Sequence, residues 1–469
     1  MIDHFPKTYA KRAILIYFLA LVITSVVFFK YALKIQWIIF GAVEVCAFFL
    51  VASRTPQNWS RLSDMRFEKK LFWTAFAIRC VYIIFSYIYY SAINGNPFEF
   101  GAADSFGYHS RAQWINLVWN TQNFKEYQNF INEGLSDCGY PTYLAVIYRL
   151  TGNSIIIARF IKALLGAYSC VLVSRLAARN FDTKTARLAG IFCMAMPNLI
   201  MYCGLHLKEV EMAFLLILFA ERADYALNGG KIKIKPFIIS IIAALTLFTF
   251  RTAVGAVAMM SIIVAAFLSS SKKMSFMKKV GVIAIVIVGL FISAGSIFVE
   301  ESKALWEEKD TNQQNSMEYR AKRIGGNSFA AYASSSVFAP LIFTIPFPTI
   351  VETEGQENQR LINGGNYVKN ITSFFVIFAL FLMIFSDDWR SHVLPIAIMV
   401  GYLIVLAFSA FAQSERFHYP VLAFELMFTA YGITHINKAG HSLFKFWPFI
   451  ILVAIVGWSW FKLAGRGIV

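Results

Sequence analysis

The chain has no Cys-x-x-Cys pair and no Cys/His spacing of the kind that holds structural zinc. Of its six cysteines, Cys46, Cys80, Cys170, Cys193 and Cys203 fall in apolar runs and only Cys138 sits in a polar stretch. Neither a disulfide framework nor a structural metal is therefore supported. A Walker-type phosphate loop, a Gly-x-Ser-x-Gly elbow and a His-Glu-x-x-His pair are also missing, which argues against the nucleotide-binding, esterase-like and zincin chemistries they mark. No internal repeat is present. Charge is scarce as well: Asp, Glu, Lys and Arg make up 15% of the 469 residues, too little to coat a soluble globule of this size.

What fills the chain instead is apolar. With 58% hydrophobic and 16% aromatic residues and a positive mean hydropathy, it reads as an all-α, polytopic helical membrane protein. The formal charge of +16 might point to nucleic acid. Lys and Arg, however, lie in short segments between apolar runs, the distribution of cytoplasmic loops under the positive-inside rule, so nucleic acid is not expected as a partner. The first run, 13–29, follows Lys7, Lys11 and Arg12, lacks a small-residue cleavage site and leads directly into a second run; it is expected to be a retained helix.

At about twenty residues per crossing, the apolar runs predict about thirteen spans. Residues 1–70 hold two helices and a basic loop (Arg54, Arg61, Arg66, Lys69, Lys70) that is expected to be cytoplasmic. Residues 71–298 form the membrane core. Within it, an outer loop over 94–139 carries amphipathic stretches such as 114–119, expected to lie in the interface. Further inner loops are marked by Arg175, Arg179 and Arg187, by Lys231, Lys233 and Lys235, and by Lys272, Lys273, Lys278 and Lys279. A break is expected at Pro197-Asn198, and a helix pair is expected to meet at Arg251-Thr252. Residues 299–370 are a long outer loop whose apolar island, 337–351, is interrupted by Pro340, Pro346 and Pro348, and reads as re-entrant or interfacial. Residues 371–469 supply the last spans.

In this topology, ionisable groups gather at the outer ends of helices from distant parts of the chain. They are Asp104, Tyr108 and His109; Lys208, Glu209 and Glu211; Arg251; Arg320 and Arg323; and Arg416 and His418. Such groups are costly at a membrane surface unless they pair or act. Acids and cations on one face suit the transfer of a sugar from a polyprenyl-phosphate carrier. An acceptor hydroxyl needs a carboxylate base, and the departing phosphate needs Arg, Lys or a metal. Considered locally, Asp104 serves equally as the cap of a helix beginning at Ser105, and Glu209 as a helix N-terminal acid. Arg251 and Arg416 suit phosphate oxygens, although snorkelling at the interface explains either equally well.

The order of these features resembles the membrane-embedded C-type glycosyltransferases, in particular the family 39-like branch of protein mannosyltransferases and aminoarabinose transferases. The resemblance covers roughly 71–435. It rests on Asp104-Ser105-Phe106-Gly107-Tyr108, Gly139-Tyr140-Pro141, the Arg159 span, the 186–197 helix, Lys208-Glu209, and Glu415-Arg416-Phe417-His418-Tyr419-Pro420. It implies that Asp104 is the catalytic carboxylate. Where the family often has a second acid directly after this Asp, this chain has Ser105. Glu209 is the favoured second carboxylate, with Glu99 and Glu133 left open. Tyr108, His109, Lys208, Arg251, Arg416 and His418 are the expected substrate-binding residues. No cofactor is established, and a divalent cation is left open.

The expected activity is inverting transfer from a polyprenyl-phosphate-linked sugar donor to a glycan, lipid or protein acceptor. It is placed on the periplasmic face of a bacterial inner membrane, amid membrane lipids, in cell-envelope glycan synthesis. An oligosaccharide-repeat polymerase or ligase using polyprenyl-pyrophosphate glycans is the alternative. A transporter is disfavoured, because only Glu44 and Arg79 stand out as mid-span charges and no related halves are visible.

Overall fold

The computed structural model describes residues 4–227, 233–269, 279–284, 339–353, 357–386, 388–409 and 411–464. Arg320 and Arg323, Lys231, Lys272, Lys273 and Lys278, most of 280–298 and all of 299–338 lie outside them, as does the side chain of Glu133. Among the described residues the fold is all-helical, apart from one isolated antiparallel bridge between Ala32 and Val351.

Three long helices open the chain: α1 (Lys7–Val27), α2 (Ile35–Trp59) and α3 (Asp64–Asn94), the last stopped by Gly95 at φ +72°. The first loop then folds into α4 (Ala103–Asn120) and α5 (Phe124–Glu133) before α6 (Gly139–Thr151). The Ser154 hydroxyl caps α7 (Ile155–Asn180), and the Asp182 carboxylate accepts from two backbone amides at the start of α8 (Thr183–Ala195). As the proline predicted, the chain breaks before Pro197, and α8 meets α9 (Pro197–Met201) at a bend of 57°. Next come α10 (Glu209–Leu227), α11 (Ile234–Phe250) and α12 (Thr252–Leu268), with Arg251 the one non-helical residue between the last two. The later helices are α13 (Asn363–Phe385), α14 (Val393–Ala407), α15 (Glu415–Thr434), α16 (Lys438–Phe444) and α17 (Trp447–Ala464). The helix α13 runs through residue 370, where the sequence reading places the end of the long outer loop.

Among the described residues, six helical segments are long and apolar enough to cross a membrane, or seven if the bent α8–α9 pair is one span. The count of about thirteen is not reached by that measure. The helices α11, α12 and α14 are 15–17 residues long, or roughly 22–26 Å. In turn, α10 and α15 bury acidic residues, Glu209, Glu211, Glu221 and Asp224 in one and Glu425 in the other.

Residues 342–353 form a buried, non-helical strap. Irregular backbone inside a protein needs partners for its polar groups, and α13 supplies them from side chains. Asn363 exchanges two hydrogen bonds with the Thr349 backbone, at 3.0 and 2.9 Å. Asn370 donates to the carbonyls of Thr344 and Pro346, and Lys369 to that of Ile345 at 2.7 Å.

Helix α7 is packed by α3, α8 and α10, and α15 by α8, α10 and α13. With 26 residues, α7 is roughly 39 Å long and separates two polar ends. At its C-terminal end Arg175 forks onto Glu68 (2.9 and 2.7 Å), and Arg179 pairs with Glu221 and Asp224, both at 2.9 Å. Arg159 and Lys162 belong to the N-terminal end, where the candidate site lies.

Candidate functional site

Asp104 does not cap its helix. The helix α4 begins at Ala103 after Ala102, and Asp104 stands in the first turn without a capping hydrogen bond. Its carboxylate instead accepts from Nη1 of Arg416, in the first turn of α15. The Nε of the same guanidinium donates to Glu209, the first residue of α10. One planar fork thus joins three segments that are far apart in the chain, a geometry that an ammonium cannot reproduce. The two acids differ in access: the Asp104 side chain is 56% exposed, whereas that of Glu209 is fully buried. Arg251, between α11 and α12, approaches Glu209 at 3.8 Å and lies 4.3 Å over the Phe417 ring. Its non-helical backbone is what directs it out of the α11–α12 pair and towards α10.

Tyr108, one turn after Asp104, is buried edge-on against Tyr140. Burial, and then the negative charge of Glu209, raises its phenol to about 12, so it is a hydrogen-bond donor at neutral pH. Lys208 sits 5.9 Å over the Tyr108 ring and donates to the Phe250 carbonyl. Its ammonium forms an ion pair with Asp137, which the sequence reading passed over. Asp137 adopts φ +77°, a conformation Asp tolerates better than most residues, immediately before α6 begins. Burial foremost, and then Arg251, brings the Lys208 ammonium down to about 7. The carboxylates of Glu209 and Asp104 oppose that shift.

Glu99 is also present. It is buried, accepts from Ser105 Oγ, and leaves Oε2 without a hydrogen-bond partner among the described residues. Asp104, Glu99, Arg416 and Glu415 line a cavity of about 300 Å³ together with Tyr82 and Tyr90 from α3 and Tyr202, Leu205, Leu207, Asn358, Leu361 and Ile362. Asn358, also unforeseen, holds the first loop in place by exchanging two hydrogen bonds with the Phe100 backbone, at 3.1 and 2.6 Å. Below this layer, fully buried Lys162 pairs with Glu211 at 3.6 Å and donates to the Leu205 and Leu207 carbonyls, bracing the turn that presents Lys208. Arg159 donates to Pro97 O at 2.6 Å, bracing the other loop.

The structure brings Asp104, Tyr108, Lys208, Glu209, Arg251 and Arg416 together, but not His109 and His418. His109 bonds to the Tyr148 hydroxyl (2.7 Å), which in turn meets His206 (2.9 Å). Burial lowers both imidazoles below their ordinary range, so neither is a cation at neutral pH. His418 is fully inside, between Lys369 (2.8 Å) and the Ala412 carbonyl (2.8 Å), with Glu425 3.7 Å from the same lysine. Lys162, Lys369 and Glu425 are buried charges beyond Glu44 and Arg79, the only ones the sequence reading recognised as mid-span. Each has a partner on another helix or the strap.

Among the described residues, no group of three or more His, Cys, Asp or Glu side chains is placed to hold a metal ion. The cluster presents two carboxylates bridged by one guanidinium, a second guanidinium and a phenol, beside a cavity open at one end of a helical bundle. Such a set can bind an anion through Arg and accept a proton on a carboxylate. No protein-family model, curated protein or solved structure matches this chain.

Proposed function

We propose that the chain is an integral membrane glycosyltransferase that moves a sugar from a polyprenyl-phosphate donor to an acceptor, using the Asp104–Arg416–Glu209 cluster on the periplasmic face of a bacterial inner membrane. The observation that carries this reading is the shared guanidinium. Arg416 neutralises a half-exposed carboxylate beside the cavity and is itself anchored by a fully buried one.

An incoming donor phosphate competes with Asp104 for the Nη edge of Arg416, while Glu209 keeps the guanidinium in place. Asp104, released from its pair, takes the proton of the acceptor hydroxyl. The acceptor oxygen bonds to the anomeric carbon as the bond from that carbon to the phosphate oxygen breaks, with inversion. The phosphate leaves on its lipid with the electron pair, its charge met by Arg416 and Arg251. Tyr82 and Tyr90, on the apolar helix α3, line one wall of the cavity, which is compatible with a lipid-linked donor.

The test is to purify the full chain, identify the lipid that accompanies it by mass spectrometry, and assay transfer from synthetic polyprenyl-phosphate sugars. A co-purified polyprenyl-phosphate sugar and transfer of a single residue, lost in Asp104→Asn, are expected. A polyprenyl-pyrophosphate oligosaccharide with a ladder of products would establish the polymerase alternative instead. Uptake into vesicles without a glycosidic product would establish a transporter.

A further inference from the structure

A second, larger cavity of about 680 Å³ lies between α4, α5 and the 134–138 turn. Its volume is in the range of small-molecule sites, roughly 300–1,000 Å³. Trp114 and Phe130 meet edge-to-face at its wall, 5.5 Å between ring centres. Around them stand Arg111, Glu126, Asn129 and Asp137. The lining therefore joins aromatic faces to a mixture of donors and acceptors. One guanidinium is balanced by two carboxylates, which does not favour a phosphate or another strong anion.

The two cavities share no lining residue, but both adjoin α4. Positions 104, 108, 111 and 115 fall on one face of α4, so Arg111 stands roughly 10 Å along the axis from Asp104 on the same side. Between them lies the buried Lys208 ammonium, paired with Asp137 of the second cavity and seated over Tyr108. Their walls differ in character. The Asp104 cavity includes residues of α3, which is apolar and long enough to cross a membrane, whereas every residue lining the second comes from 111–138, outside all candidate spans. A lipid-borne reactant suits the first and a water-facing one the second.

We infer that the α4–α5 cavity is the acceptor subsite and that it takes a neutral, polyhydroxylated ligand, a glycan chain, with its reacting hydroxyl directed along α4 towards Asp104. Pyranose rings offer apolar C–H faces to aromatic side chains and rims of hydroxyls to carboxylates, amides and guanidinium, the combination this lining provides. The assignment as acceptor rests on the transferase reading above; the glycan-binding property of the cavity does not.

The experiment uses the full chain in lipid nanodiscs. The probe is the oligosaccharide released by mild acid from the surface glycan of the cells that make the protein. Binding is followed by isothermal titration calorimetry, and acceptor KM and kcat by transfer from a polyprenyl-phosphate sugar. Wild type is expected to bind the oligosaccharide saturably. Trp114→Ala and Glu126→Gln are each expected to weaken binding at least tenfold, and to raise acceptor KM in proportion with donor KM unchanged. Glu126 is exposed and makes one local contact, to Asn123 at 2.8 Å, so Glu126→Gln keeps the test valid if Trp114→Ala fails to fold. No binding by wild type, or binding equal in wild type and Glu126→Gln, overturns the subsite. Saturable, Glu126-dependent binding without any transfer supports the cavity as a glycan site and removes the transferase reading alone.

Discussion

Asp104 and Arg416, 312 residues apart in the chain, form an ion pair in which the guanidinium also holds the buried Glu209. The arrangement separates two roles that a single Asp–Arg pair would merge. Glu209 fixes the position of Arg416, and Asp104 is held only at the more exposed edge.

Substitutions should separate those roles. Asp104→Asn keeps the shape and removes the base, so transfer is expected to fall by roughly 10²–10⁴, the usual contribution of a general base. Its unfolding midpoint in detergent should stay close to wild type, because the acid is half exposed. Arg416→Ala leaves Glu209 buried with Arg251 alone at 3.8 Å and is expected to destabilise by about 3–5 kcal/mol. Arg416→Lys should restore much of that stability, read by denaturant unfolding, but little of the transfer, since a point charge cannot bridge both carboxylates.

Lys208 gives a pH dependence with a defined sign. Its ammonium is lowered to about 7 in the folded chain, against about 10.4 for an unperturbed lysine. Between those values the unfolded chain holds more protons than the folded one, so stability rises with pH over that window, and the penalty of the buried charge is felt in full below pH 7. Thermal midpoints of wild type and Lys208→Met, measured from pH 6 to 9, should therefore change relative to each other, wild type gaining as pH rises. Asp137→Asn removes the carboxylate paired with the ammonium and should move the onset of that gain to lower pH. Parallel curves for all three proteins would show that Lys208 keeps an ordinary pKa.

Several parts of this architecture are legible in the sequence because one residue type decides them locally. Pro197 breaks a helix, and Arg251 interrupts two apolar runs. Asp104, Glu209 and Arg416 were recognised as polar groups in the wrong solvent, which requires no knowledge of their partners. The partners themselves were not legible. Nothing local to Asp137 or Asn358 shows that one meets Lys208 and the other the Phe100 backbone, since those contacts depend on how α6 and the turn before α13 dock. His418 was misplaced for a related reason. Arg416 and His418 both lie in the first turn of α15, which begins at Glu415, and their different positions around it carry His418 inside to Lys369 while leaving Arg416 at the cavity.

The strap over 342–353 depends on α13 for its hydrogen bonds, which makes Asn370 a strong point of failure. Its amide serves the carbonyls of both Thr344 and Pro346, and neither lies where water would replace it. An unsatisfied buried acceptor costs about 1–3 kcal/mol. Asn370→Leu, close in volume and without donors, is expected to lose at least that much unfolding free energy. Asn370→Asp should behave similarly, because it supplies acceptors where donors are needed.

Gly139 sets the distance between the first loop and the Arg251 corner. A Cβ there would lie 2.9 Å from the Phe250 ring and closer still to the Thr249 hydroxyl, so α6 cannot approach α11 as it does with any larger residue. The consequence extends to the site, because the Phe250 carbonyl accepts from Lys208 and the residue after it is Arg251. Gly139→Ala is expected to destabilise by about 1–3 kcal/mol, the usual cost of overpacking. It should also lower transfer by more than that loss explains, as the Lys208–Asp137 pair and the α4–α6 packing shift together. Thr249→Ala removes the hydroxyl that the new methyl group would strike. Combined with Gly139→Ala it should recover part of both stability and transfer, and a double variant no better than the single one would show that the close approach is not what holds the corner in place.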